Sequence, residues 1–441
     1  MSPSRKLICA AICTGVVVTP APAFGAGWVY TESNNPAAGQ NSVLALNYSS
    51  KGRLNPAKIR EYRTRGTGSA FIPNQSVGTL GGDQQVVLSK SGKRLFAVNQ
   101  GSNSIAVFNV NRRTGTLKHV AGSPFSSGGK APISIGVRGR RVVVANHGTV
   151  APFVPGPGAD FGNPNFVSFS MSKKGRLRQL DSHPAGPGPT QALIGRGGGA
   201  VFSTNFYGFA GPENKTIQAL SLSKGGQLSE APGSPQGFPE SMYKNHPPLP
   251  PFLPEGIDKL AFGIATHPTK SIAYILGAVN FQVGVYRYTK NGQLTFASAQ
   301  PNPGALAACW VVLTSDGRYM YTANTAAQSI SQLRVSESGE QITPIADPAP
   351  VPSTGTDLNL AIDPKDRFLY AVAAHDDPDG PRPQGVKPDG TIVPAPADGN
   401  FLEAYRIGSG GKLKSIGTTA LPVRHSQEPY GLAVLRKHKR R

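Results

Sequence analysis

The stretch Tyr288-Thr289-Lys290-Asn291-Gly292-Gln293-Leu294 reads as a tight polar turn between two apolar runs. Nearly the same phrase returns along the chain: SSKGRL at Gly52, RRTGTL at Gly115, SKKGRL at Gly175, SKGGQL at Gly226, SESGEQI at Gly339 and GSGGKL at Gly411, making seven copies. Upstream of the copies lie NSVLALNY, NSIAVFNV, FVSFSM, TIQALSL, VGVYRY, SISQLRV and FLEAYRI. These runs alternate apolar and polar, the period of half-buried strands. The glycine supplies the positive φ that a tight hairpin needs. The Leu after it is the first inward residue of the next strand.

A second repeat precedes the first. It reads VVLSKSGKRLFAVN (86–99), IGVRGRRVVVAN (135–146), LIGRGGGAVFSTN (193–205), IATHPTKSIAYILG (264–277), VVLTSDGRYMYTAN (311–324) and LAIDPKDRFLYAVA (360–373). Each is an apolar strand, a tight polar turn and a second apolar strand. Every unit therefore has four antiparallel strands, A to D from the inside outward, which predicts an all-β, seven-bladed β-propeller. The termini complete the count. Gly27-Trp28-Val29-Tyr30-Thr31 resembles a B strand with no A strand before it, and 428–435 resembles an A strand with no B strand after it. Sharing one blade, they close the ring without a disulfide.

The bulk numbers agree with a turn-rich β protein. The 441 residues include 53 Gly and 40 Pro, with 38% hydrophobic and 16% charged residues. Residues 1–26 read as a secretory signal peptide: Arg5 and Lys6, then an apolar run from Leu7 to Val18 too short to span a bilayer, then small residues for cleavage. The alternative is a retained anchor. Export would remove Cys9 and Cys13 and leave Cys309 alone. The propeller would then span 27–435, followed by a basic tail at 436–441.

The formal net charge is +21. Basic clusters lie at Arg138/Arg140/Arg141, at Lys173/Lys174/Arg176/Arg178 and in the tail. No helix-turn-helix, zinc or base-stacking signature accompanies them, so specific nucleic acid binding is not expected. The tail is expected to meet an anionic surface polymer, or the charge simply keeps the surface solvated. A monomer without cofactor or bound metal is expected.

Strand direction assigns loops to faces. The A–B and C–D turns share one face and are short. The B–C and D–A loops share the other, and the insertions 63–80, 148–164, 206–214, 232–259, 347–356 and 375–399 all fall there. The Pro-rich 232–259 should be stiff rather than helical. Long loops on a rigid scaffold are where function concentrates.

The residues "RLFAVNQGSNSIAVFNVNRRTGTLKHVAGSPF" (94–125), "RYMYTANTAAQSISQLRVSESGEQITPI" and "RFLYAVAAHDDP" resemble the lactonase family of seven-bladed propellers, which includes 6-phosphogluconolactonases and carboxymuconate cyclases. The resemblance covers roughly residues 28–435. It implies a site at the loop-rich mouth of the central channel, using His, Glu and Arg near the starts of innermost strands. The corresponding starts here are Lys130-Ala131-Pro132-Ile133, Gly188-Pro189-Thr190-Gln191 and Leu260-Ala261-Phe262-Gly263. None has His or Arg at the matching position, so no catalytic residue carries over by motif.

Parity still names the residues at that mouth. Strand A begins there with Asp83, Gln84, Gln191, Asp357, Asn359 and Glu428; strand B ends there with Asn99, Asn146, His147, Asn205, Asn324 and His375. His147, Glu428 and Asp357 are the acid–base candidates for opening or forming a lactone. Asn146, Asn205, Asn324, Gln191 and His375 are candidate ligand contacts. The recurring Asn residues have a second reading, as side chains that end each strand by bonding nearby backbone. Asp376-Asp377-Pro378-Asp379-Gly380 offers oxygen ligands without the full calcium-loop pattern, and turn chemistry explains it as well. A Gly-x-Ser-x-Gly elbow, a Walker loop and His-Glu-x-x-His are absent from the sequence. The two functional classes left are an exported lactonase-like enzyme and a non-catalytic ligand-binding propeller.

Overall fold

In the computed structural model the described residues are 24–69, 82–149, 160–211, 214–244, 246, 248–249, 253–345, 351–353, 356–374, 385–386, 392–393, 400–423 and 427–438. They form seven antiparallel blade sheets, numbered here as blades 1 to 7, each with its first-named strand on the channel, and a separate two-stranded sheet of Gly385–Val386 and Ile392–Val393. Blade 1 is Tyr430–Arg436, Phe24–Glu32, Ser42–Ser49 and Arg60–Arg63. Blade 2 is Val86–Leu88, Arg94–Asn99, Ser104–Val110 and Leu117–His119, and Phe125–Ser126 adds to its third strand. Blade 3 is Pro132–Arg138, Arg141–Asn146, Asn165–Met171 and Leu177–Pro184; blade 4 is Leu193–Ile194, Ala200–Thr204, Ile217–Leu222 and Leu228–Glu230. Blade 5 is Ala261–Thr266, Ile272–Gly277, Gln282–Tyr288 and Leu294–Pro301. Blade 6 is Ala308–Leu313, Tyr319–Asn324, Ser329–Val335 and Ile342–Pro344, with Val351–Pro352 added on its third strand. Blade 7 is Thr356–Ile362, Phe368–Ala374, Phe401–Ile407 and Leu413–Ala420.

The seven-bladed ring expected from the repeats is the fold found, and it closes as the termini imply. The last strand pairs antiparallel with the first, Gly27 opposite Arg436, Trp28 opposite Leu435 and Val29 opposite Val434. The first strand begins at Phe24, ahead of the expected start at Gly27. Cys309 is a free, buried thiol whose burial raises its pKa to about 12. In 232–259 the described residues form single 3-10 turns, Glu240–Met242 and Ile257–Lys259, and a β-bridge from Gln236 to Ile217.

The core lies between blades rather than under one sheet. Trp28, Tyr30 and Val43 of blade 1 pack on Val86, Leu95 and Phe108 of blade 2; Tyr48 and Leu46 of blade 1 pack on Phe368, Tyr370 and Leu402 of blade 7. Removing such side chains from water supplies roughly 25 cal/mol per Å2 of apolar area. The faces alternate because period-two strands send one set of side chains to each neighbouring blade.

The recurring turn glycine seats each blade on the one before it. All seven have positive φ, from +69° at Gly115 to +96° at Gly226. A Cβ at Gly115 would fall 2.4 Å from Trp28, and one at Gly411 would fall 2.3 Å from Tyr319. The same holds at Gly52 against Phe368, Gly175 against Arg94, Gly226 against Leu180, Gly292 against Leu220 and Gly339 against Ile272. Each glycine faces the preceding blade, so the contacts run once round the ring. At four seats a buried B-strand tyrosine donates to the glycine carbonyl: Tyr30 to Gly115 at 2.9 Å, Tyr274 to Gly339 at 2.8 Å, Tyr321 to Gly411 at 2.7 Å and Tyr370 to Gly52 at 2.9 Å. Burial raises the pKa of all four phenols, so they stay protonated donors.

Candidate functional site

The innermost strands of blades 1, 2, 4, 5, 6 and 7 line a cavity of ≈ 420 Å³. Its walls mix apolar side chains, Val86, Leu88, Leu193, Val312, Leu360 and Val434 among them, with polar groups. Asp83, Gln84 and Gln191 stand at the loop-face end, and Thr314 and Ser315 at the turn-face end.

A polar bolt crosses the loop-face end. Asp83 precedes the first strand of blade 2, Gln191 that of blade 4, and Asn359 lies in that of blade 7. Asn359 Nδ2 donates to Asp83 Oδ1 at 3.1 Å, and Gln191 Nε2 reaches Asp83 Oδ2 at 3.5 Å, a weak bond at the long limit. Gln191 also imitates a strand partner for blade 5. Its Oε1 accepts from Ile264 N–H at 2.6 Å, and its Nε2 donates to Ile264 O at 3.1 Å. Gly431 N–H of blade 1 donates to Asn359 Oδ1 at 2.7 Å. One carboxylate and two amides thus bind five blades.

Desolvation raises the Asp83 pKa to about 6, although its own Gln84 amide and Asn359 oppose the rise. Asp83 keeps some accessible surface, which faces the open channel cavity, so channel water moderates the cost of the charged form. The result is a carboxyl that changes charge near neutrality, ringed by amide N–H groups, at the end of a cavity.

His147 lies elsewhere. It follows the second strand of blade 3, is 1% exposed, and donates from its backbone to Ala131 O at 2.9 Å. Its ring meets the edge of Tyr207 at 5.8 Å, and Tyr207 packs on Phe161 and Phe206, each at 5.0 Å. The aromatic contacts continue from Phe206 to Phe262 and on to Trp310. Phe161, Phe206 and Tyr207 of this apolar mass come from loop-face insertions, and Phe262 and Trp310 from the innermost strands of blades 5 and 6. The mass desolvates His147 and lowers its pKa to about 4, with the Thr149 backbone offsetting part of the shift. Neither ring nitrogen completes a well-aligned hydrogen bond, so His147 does not pair with Glu428. Neutral at pH 7, it is a weak base behind a closed wall.

Glu428 is half-buried before the last strand, and accepts from the Tyr430 hydroxyl at 2.6 Å. Asp357 sits in the first strand of blade 7, opposite Ala373; its side chain, His375 and the Asp376–Asp379 loop lie outside the described residues.

Asn99, Asn146, Asn205 and Asn324 are all 0% exposed. Asn146 Nδ2 donates to Asn165 Oδ1 at 2.9 Å and Ser127 O at 3.3 Å; Asn205 Nδ2 donates to Lys215 O at 3.2 Å. Asn324 Nδ2 reaches the Ser329 and Ser331 hydroxyls. These amides tie the end of strand B to the chain beside it. Three are capped by a glycine of the preceding D–A loop: a Cβ at Gly66 would fall 2.3 Å from Asn99, one at Gly129 2.7 Å from Asn146, and one at Gly186 2.1 Å from Asn205. Of the candidate ligand contacts with described side chains, Gln191 faces the channel cavity. Asp83 and Asn359 were placed at the mouth by parity but not paired by it, because they lie 276 residues apart. Their sequence signal is a polar residue where an innermost strand begins. Among the described residues no three His, Cys, Asp or Glu side chains gather as metal ligands.

A ring of seven four-stranded blades with a polar cluster at one mouth defines a β-propeller with a channel site. The chain belongs to the lactonase family of 7-bladed β-propellers, whose model matches residues 40–151 and 263–378. No curated protein matches it in sequence. Among solved structures it is similar to the periplasmic gluconolactonase PpgL of Pseudomonas aeruginosa, with 12% identity and a TM-score of 0.61 over 93% of this chain and 99% of that one. It is also similar to a Bacteroides fragilis protein provisionally named 6-phosphogluconolactonase, with 14% identity and a TM-score of 0.60 over 93% and 98% of the two chains. At these identities the likeness concerns the fold.

Proposed function

We propose that the chain, exported after removal of residues 1–26, hydrolyses a small cyclic ester at the loop-face end of the channel, with Asp83 as general base. The observation that carries this reading is the Asp83 carboxyl, titrating at about 6 among amide donors beside the channel cavity. Its membership in the lactonase family, and its likeness to a protein named gluconolactonase, point to the same bond. Ionised Asp83 takes a proton from water as the water oxygen bonds to the lactone carbonyl carbon. The Gln191 and Asn359 amides, released from the carboxylate as it gains the proton, turn to the developing oxyanion. Collapse breaks the ring C–O bond, and Asp83 returns the proton to the leaving alkoxide, giving the open hydroxy acid. Glu428 and Asp357, at the starts of neighbouring innermost strands, are the further acid–base candidates, and His147 stands behind the wall.

The test is acid release from a panel of γ- and δ-lactones, including sugar lactones, by the protein lacking residues 1–26. Turnover is expected to rise with pH through about 6. Asp83→Asn is expected to lower it by ~100-fold or more, with Glu428→Gln, Asp357→Asn and His147→Ala as comparators. Turnover untouched by Asp83→Asn moves the base to one of those three.

A second reading is a non-catalytic binding propeller, favoured by the bolt itself, since Asp83 already accepts from protein donors. Saturable calorimetric binding of the same compounds without turnover selects it.

A further inference from the structure

The turn face carries a charge that the channel does not use. In blades 1 to 5 its A–B and C–D turns contain Lys and Arg and not one Asp or Glu. Lys51, Arg113, Arg138, Lys173, Lys174 and Lys224 are all exposed there. Among the described residues none of the six forms an ion pair. The acids of this face are confined to the turns of blades 6 and 7, and all but Glu337 are engaged: Asp316 with Arg318, Glu340 with Arg287, Asp363 with Arg367, and Asp366 with Ser315. The tail joins the same field. Lys437 N–H bonds Ala26 O at 2.9 Å, and His438 N–H bonds Arg112 O at 3.1 Å, against the turns of blades 1 and 2.

Crowding like charges on one face, with no carboxylates among them, works against the compact state unless anions neutralise them. The shape of the face narrows the partner. Apart from the Ser49–Arg60 connection, its turns are tight hairpins, so the charges stand at similar height across five blades rather than along one groove. The turns of blades 1 to 5 hold no Phe, Tyr or Trp, so nothing is offered for base stacking.

We propose that the turn face of blades 1 to 5 docks the propeller on a planar anionic lipid surface, with the loop-face mouth turned outward. Docking is electrostatic and reversible, since the exposed apolar side chains of these turns are only the small Pro56, Ala57 and Pro268. This goes beyond the esterase reading and does not depend on it.

The experiment is co-sedimentation of the protein lacking residues 1–26 with phosphatidylcholine vesicles, with and without about 30% phosphatidylglycerol. Binding is expected only to the anionic vesicles, and should disappear between about 50 mM and about 500 mM salt. The variant Arg113→Glu/Lys173→Glu/Lys174→Glu should bind at least ~10-fold more weakly. The loop-face variant Arg65→Glu/Lys130→Glu/Lys215→Glu, with the same change in charge, should change binding less than ~2-fold. Matching thermal melts establish that both variants fold; if the charge reversals do not, Arg113→Gln/Lys173→Gln/Lys174→Gln replaces them. Equal losses in the two sets would reduce the effect to net charge and overturn the proposal. So would tighter binding to a linear polyanion, such as duplex DNA or polyphosphate, than to the vesicles.

Discussion

Asn359 Nδ2 holds Asp83 Oδ1 at 3.1 Å across the channel, joining residues 276 positions apart. Because the carboxyl titrates at about 6 in the fold and near 3.9 when unfolded, the folded chain holds more protons between those values. Stability therefore falls as pH rises through that window, and stays lower above it. The cost is at most about 3 kcal/mol, less what channel water screens. Glu32, buried and likewise raised, acts in the same sense. Asp83→Asn is expected to flatten the fall in denaturant midpoint between about pH 4.5 and 7.5. An unchanged slope assigns the titration to Glu32.

His147 acts in the opposite direction. Its pKa of about 4 lies below the unfolded value near 6.5, so the unfolded chain binds more protons between them. Stability is lost as pH falls from about 6.5 toward 4. His147→Leu removes both unpaired ring nitrogens and should raise stability at pH 5 by ~1 kcal/mol. Urea melts at pH 5 and 7.5 check this, and equal melts at pH 5 would show that the ring is solvated there.

The glycine lids predict a compensating pair. Gly186→Ala drives a Cβ to 2.1 Å from Asn205 Nδ2, and should cost about 2–4 kcal/mol. Asn205→Ala makes room for that methyl, so the double variant should be more stable than the sum of the two losses. Strict additivity in chemical denaturation would mean that the two side chains do not meet.

At the blade seats, Tyr30→Phe leaves the Gly115 carbonyl unpaired and should cost about 1–2 kcal/mol. Gly115→Ala adds strain at a φ of +69° and a clash with Trp28, and should cost more. Thermal unfolding of the two variants orders them; a milder Gly115→Ala would show that blade 2 slides freely on blade 1.

What the sequence made legible follows from distance along the chain. The Gly292 turn and its six relatives are local patterns, visible in any window of a dozen residues, and they set blade number and loop faces. The shared first blade was legible too, because an orphan B strand and an orphan A strand need each other. The contacts made by these glycines were not, because Gly115 meets Trp28 across a blade boundary. The bolt was legible only in part: parity puts Asp83, Gln191 and Asn359 at one mouth, but periodicity says nothing of which pair meets. His147 was legible as a strand exit and not as a buried ring, since Tyr207 and Phe161 come from insertions without a repeat.

The closure of blade 1 also makes the position of the chain break interchangeable. Residue 436 lies opposite Gly27, at the place where every other blade has an A–B turn. A short linker from 438 to 24 would complete that turn, and new ends at Gly139, where a Cβ would touch nothing within 4 Å, would move the break to blade 3. Such a circular permutant keeps every glycine seat, so the ring should assemble from the rearranged sequence.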